Sequence, residues 1–319
     1  MKTITTNPAL ESGALYAKSQ VYIRRGLRAQ SDGDTEEYQL WASLAIELLG
    51  KAALAKIHPT LVADPTHYQS LFAACGHQLS SDLKTITAKT LFERLGHIDK
   101  AFDLRHQRFF EQMALRRNAE LHSGESPFSG LTAEIWEEKF WGGVETILEM
   151  QEENLESWLG TENSKAPARI IEQAAKATEW AVKHRINRCK EDFEKKYYDP
   201  THRQKIIDES KHLQWARFDP YERTPCPACG SLGFMVGTLW DEEVIDSEPG
   251  SFFYDDDDER YIEPPIEKVI KTFSVEEFVC RVCLLHLFGR EESLAGNLPD
   301  EFTRREERER EFEPDYENE

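Results

Sequence analysis

No run of 18 apolar residues occurs anywhere in the 319-residue chain, so no segment predicts a membrane-spanning helix. The opening residues, Met1 to Pro8, lack the apolar core of a secretory leader, and a cytoplasmic protein is expected. Cysteine is scarce, with six in all, and in a reducing compartment these are free thiols or metal ligands, not disulfides. Positive charge is also short: 39 lysines and arginines face 59 acidic residues, a net charge of −20. The shortage is uneven. Residues 1–160 hold 16 basic and 22 acidic side chains, residues 161–220 hold 13 and 10, and residues 221–319 hold 10 and 27. The acidic excess therefore sits in the last third. There it weakens long-range steering of a polyanion without forbidding local binding elsewhere.

What is present points to a mainly α protein with a small β-rich end. Apolar residues recur at helical intervals over 9–30, and Ser31-Asp32-Gly33-Asp34 breaks the pattern and caps a helix over 35–57. That second helix is apolar on nearly every side, which predicts burial in a bundle. Shorter helices are expected near 65–75 and 87–95, and long ones over 98–121, with Leu121 inward, and over 131–159. Residues 1–160 thus read as a helical bundle. Residues 161–220 read as a helical spacer or docking arm, with helices over 167–197 and 201–215. From Arg223 the texture changes, and strands are expected at 232–240, 266–273 and 276–280. Asp241–Glu263, with Asp255-Asp256-Asp257-Asp258-Glu259, reads as a solvated insertion. The mixed-charge stretch 299–319 reads as frayed helix or disorder.

Cys226-Pro-Ala-Cys229 and Cys280-Arg-Val-Cys283 are two knuckles of the kind whose four thiolates close a tetrahedral shell around one ion. They predict a structural zinc in a ribbon spanning 221–298. A full thiolate shell leaves no open position for catalysis. Cys75 and Cys189 lie in helical context and are expected to be core or surface thiols.

Arg117-Asn118-Ala119-Glu120-Leu121-His122 places a permanent cation, an amide and a histidine at the end of an apolar helix. A guanidinium can stabilise a pentavalent phosphate, and an imidazole moves protons near neutral pH. Arg281 and His286 repeat the spacing, but inside the second knuckle. Five residues along an ideal helix turn a side chain by about 140°, so one helix does not aim Arg117 and His122 at one phosphate, whereas two helices paired across a twofold axis do. The competing reading is that Arg116 and Arg117 are solvated charges at a helix C-terminus and His122 is a cap.

The Arg-Asn-x3-His stretch, together with the buried helix Trp41-Ala-Ser-Leu-Ala-Ile-Glu-Leu-Leu-Gly-Lys-Ala52, resembles the HEPN superfamily over about residues 10–160. The resemblance implies a homodimeric, metal-independent RNA endonuclease, a toxin or defence effector, leaving 2′,3′-cyclic phosphate and 5′-hydroxyl ends. It casts Arg117 as the phosphorane-stabilising group and His122 as general acid or base. Asn118 would orient the phosphate or His122. Arg116 also satisfies the family's spacing, and Glu47 either approaches the site or satisfies a buried polar contact. The alternative is a non-catalytic dimeric adaptor that binds nucleic acid or a regulatory protein partner. A DNA-binding ribbon is disfavoured, because residues 221–319 carry no basic stripe.

Overall fold

Glycine and short polar caps divide the first half of the chain into helices. A computed structural model describes residues 7–77, 79–130, 132–215, 219–248, 252–254, 260–262 and 265–310. The chain divides into two compact units, Met1–Ala175 and Lys176–Glu319. In the first, α1 (Ser12–Ser31) ends at Gly33, whose φ of 85° reverses the chain, and Asp34 caps α2 (Thr35–Ile57) by accepting from the Glu37 amide. Then follow α3 (Tyr68–Ala74), α4 (Ala88–Ile98), α5 (Leu104–His122), α6 (Ala133–Glu149), α7 (Leu155–Leu159) and the first turns of α8 (Lys165–Lys196).

The central helix is α2, where Ala42, Ala45, Ile46, Leu49, Ala52 and Leu54 are all buried. Its alanines and Gly50 let neighbours approach closely. A Cβ on Gly50 would lie 3.1 Å from Leu95. Around it Phe92, Phe102 and Phe110 stack, and Trp136, Phe140 and Trp141 extend the aromatic layer. α5 and α6 meet at Gly143, where a Cβ would sit 2.4 Å from the Phe110 ring. Among the buried polar groups, Trp158 Nε1 donates to Ser19 Oγ at 2.8 Å.

Two expected helices differ in extent. The one expected from residue 98 starts at Leu104, because Asp99 ends α4 and binds the Ala101 amide while Asp103 caps α5 through the amides of Arg105 and His106. The one expected over 131–159 splits where Glu152 adopts φ 59° and Asn154 forms a capping box with Ser157. Leu121, expected inward, is half exposed.

In the second unit the rest of α8 lays Val182, Ile186, Cys189 and Phe193 on a separate core, while Ile170 and Ile171, in its first turns, pack with the first core. The 161–220 stretch read as a spacer therefore contributes to both cores. Beyond α9 (Pro200–Glu209) come β1 (Tyr221–Pro225), β2 (Leu232–Glu248), the short pair β3 (Phe252–Tyr254) and β4 (Arg260–Ile262), β5 (Ile266–Val279) and β6 (His286–Phe288). α10 (Gly289–Ala295) and β7 (Glu301–Glu309) close the order. The main sheet is antiparallel, ordered β1-β2-β5-β6, with β7 also on β5.

Here the sequence expectations need correcting. The strands expected at 266–273 and 276–280 are one strand, and β2 runs on to Glu248 through what was read as a solvated insertion. Its acidic residues find cations across the sheet: Lys268 pairs with Asp246 and Glu248, and Lys271 with Glu242. The stretch from Pro299, read as frayed or disordered, places β7 along β5, with Phe302 stacked on Phe273 at 5.1 Å and Arg308 pairing with Glu267. The Asp255–Glu259 run and residues 311–319 lie outside the described residues. No helix among the described residues is long and apolar enough to cross a membrane.

Candidate functional site

α2 brings Glu47 and Lys51 one turn apart on one face, and α5 delivers Arg117 to the same place. Lys51 Nζ donates to Glu47 Oε1 at 2.8 Å and to Thr85 Oγ1 at 3.0 Å. Arg117 Nη1 lies 2.8 Å from Glu47 Oε2. The three charged side chains retain only 9% to 16% of their exposure, so the cluster is largely withdrawn from water. Burial pushes the Glu47 carboxyl up, but Lys51 and Arg117 outweigh it and hold the group below its ordinary value. The neutralisation is geometrically incomplete. Arg117 Nε and Glu47 Oε2 are buried without an aligned hydrogen-bond partner.

Asn118 and His122 stand elsewhere on α5. Both are exposed, His122 on the last helical residue before Ser123, whose amide and hydroxyl both bond to the Ala119 carbonyl. The end of the helix is thus capped by Ser123. The 140° offset between Arg117 and His122 persists, one side chain turned to the α2 cluster and the other to solvent. Arg116, half-buried, carries no ion pair among the described residues. Within one chain, Arg117 and His122 do not converge.

Two further groups escaped the sequence reading. Lys51 completes the cluster, and its signal was an acid–base pair four residues apart inside an otherwise apolar helix. Asp103 and His106 form a second pair, with Asp103 Oδ1 3.3 Å from His106 Nδ1 and Oδ2 2.9 Å from Arg105 Nε. Burial raises the Asp103 carboxyl, yet the contacts to His106 and the Arg105 charge leave it well below the ordinary range. His106 stacks on Phe102 at 5.6 Å. This pair anchors the start of α5.

In the second unit the four knuckle cysteines converge, with all sulfurs within 4.8 Å of one another. Cys226 Sγ is 3.5 Å from Cys283 Sγ, and Cys229 Sγ is 3.6 Å from Cys280 Sγ. These separations are far beyond a disulfide bond of about 2.05 Å. They approach the roughly 3.8 Å edge of a tetrahedron with metal–sulfur bonds of about 2.3 Å. The two knuckles share one backbone geometry. The Cys226 amide donates to the Ser231 carbonyl and the Cys280 amide to the Leu285 carbonyl, each five residues on. The fifth residue of each turn, Gly230 and Leu284, has positive φ, at 74° and 64°. The donor set and spacing fit a metal ion held by four thiolates.

The Arg281–His286 repeat is taken up structurally. Arg281 lies over the rings of Trp215 and Phe234 and donates to the Gln214 carbonyl, while His286 Nε2 sits 2.6 Å from Glu277 Oε2 on the neighbouring strand. No family model matches the chain, and no curated protein or solved structure matches it either.

Proposed function

We propose that this chain is an RNA endonuclease of HEPN type that cuts without a catalytic metal, at a site assembled from two copies. The observation that carries the reading is the Glu47–Arg117 ion pair. It ties the two stretches on which the family resemblance rests into one buried cluster, and Asn118 and His122 stand exposed on the next turns. In this reading Glu47 orients the guanidinium, and the part of Arg117 that keeps some exposure is what faces a phosphate oxygen. The ribose 2′-oxygen attacks phosphorus and the bond to the 5′-oxygen breaks. The attacking hydroxyl loses a proton to an imidazole, and the leaving oxygen receives one. Because Arg117 and His122 point about 140° apart on one α5, a twofold partner supplies the other half. The four cysteines would hold a structural zinc, with no part in cleavage. A toxin or defence role follows from fold-level analogy alone.

A second reading has its own observation: Arg117 is buried and already neutralised within its own chain, as in a purely architectural ion pair. That favours a non-catalytic adaptor. Purified protein in EDTA, incubated with labelled tRNA and mRNA, separates the two. Cleavage leaving cyclic-phosphate ends, abolished in His122→Ala while the melting temperature is unchanged, supports the nuclease. Intact RNA at every protein concentration, or cleavage that survives His122→Ala, refutes it.

A further inference from the structure

We infer that the middle of α8 is a binding face for single-stranded nucleic acid, with Trp180 as its stacking platform. Of seven tryptophans, Trp180 alone is exposed, at 69%. At that exposure much of the indole stays open to solvent in mid-helix, where its ring can stack on a planar ligand. His184, one turn on, stacks parallel to it, with centroids 5.3 Å apart and planes 21° from parallel. The pair presents a continuous aromatic surface along the helix.

The charge around it is unlike that of the rest of the chain. Between Lys176 and Lys190 the sequence has five cationic side chains against a single carboxylate, Glu179, in a protein of net charge −20. Glu179 pairs with Lys183, and Arg185 pairs with Glu292 at 2.7 Å. Lys190 carries no ion pair among the described residues, and Arg188 meets Asp192 only at 4.0 Å. By helical geometry Lys176, Lys183, His184 and Asn187 fall within about 60° of Trp180. An aromatic surface rimmed by cations is the arrangement that binds a strand of stacked bases and phosphates, whatever the base sequence. An acidic protein surface would also meet the cations, but a nucleic-acid strand brings a phosphate charge and a planar base together at every step, which is what a stacked indole–imidazole pair flanked by cations matches. This face lies in the second unit and does not depend on the cleavage reading.

Fluorescence anisotropy of the full chain with a labelled 2′-O-methyl RNA 12-mer, which cannot be cut, tests the inference without invoking cleavage. A DNA 12-mer is the parallel arm that distinguishes RNA from either strand type. Binding is expected at 50 mM salt, weakened roughly tenfold by Trp180→Ala and largely retained in Trp180→Phe. Removing two cations of this face in the Lys176→Gln/Lys183→Gln variant is expected to flatten the log–log salt dependence by about 1.4. Absence of binding at 50 mM salt overturns the proposal, as does equal affinity in Trp180→Ala with its helix content intact. Self-association that is lost in Trp180→Ala, without oligonucleotide binding, also overturns it and makes this face a contact between copies.

Discussion

The two units solve the same stability problem with different materials. The first buries an aromatic layer around α2 and needs few charges inside, so the cluster of Glu47, Lys51 and Arg117 is conspicuous. The second has a smaller core, and beyond Gly237 every residue of β2 is half or fully exposed. What holds it is four converging sulfurs and ion pairs laid across strands, individually worth little in water. A unit with a large core tolerates loss of a local contact; one organised around a single point does not.

The largest test of that contrast is to remove the point. Cys280→Ser, or chelation under denaturing conditions followed by refolding, is expected to cost the second unit on the order of 10 kcal/mol. The near-ultraviolet signal of Trp215 and Trp240 would vanish while most helical signal remained. Mass spectrometry should find one zinc per wild-type chain, and metal-free protein with an intact second transition would break the comparison.

Smaller effects follow in the first unit. Arg117→Ala leaves Glu47 buried beside Lys51 alone and should destabilise by about 3 kcal/mol. His122→Ala, at an exposed position, should change stability by less than about 0.5 kcal/mol. Equal urea midpoints for the two variants would show that the cluster carries no such weight.

The cluster also predicts a pH response of the first unit. Glu47 and Asp103 are both held below their ordinary values of 4.5 and 3.8. Each adds stability above the unfolded carboxylate range and loses it as pH falls from about 4.5 downward. Urea midpoints of the first unit at pH 7 and pH 3.5 should fall further in wild type than in a Glu47→Gln/Arg117→Met double variant. Parallel falls would remove Glu47 from the account.

The smallest effect is a gain. Leu284 is 79% exposed at φ 64°, where its counterpart in the first knuckle is glycine. Leu284→Gly should raise the second unit's stability by about 1 kcal/mol, read from its denaturation midpoint.

Helix existence was legible wherever an apolar period met a cap, as at Asp34 and α2. The four-cysteine convergence followed from local spacing alone. The sheet's extent was not legible. Acidic residues such as Asp246 and Glu248 read as solvent-seeking, and only the arrival of Lys268 from 20 residues away makes them strand residues. The same holds for β7, whose arginines and glutamates have partners on β5. At the candidate site the Arg-x4-His spacing and its angular conflict were visible in advance. That Glu47 would claim Arg117 depended on a helix crossing that no local pattern encodes.

The contact at Gly143 has a consequence for all of this. With no side chain there, the Phe110 ring seats against the backbone of α6 like a key in a slot, and sliding α5 lengthwise by one turn would drive that ring into Ile147 or the preceding turn. The axial position of α5 is thereby indexed at its middle, and seven residues further on the index sets where Arg117 meets α2. Gly143→Ala would therefore act at a distance, nudging the guanidinium off its carboxylate without touching either.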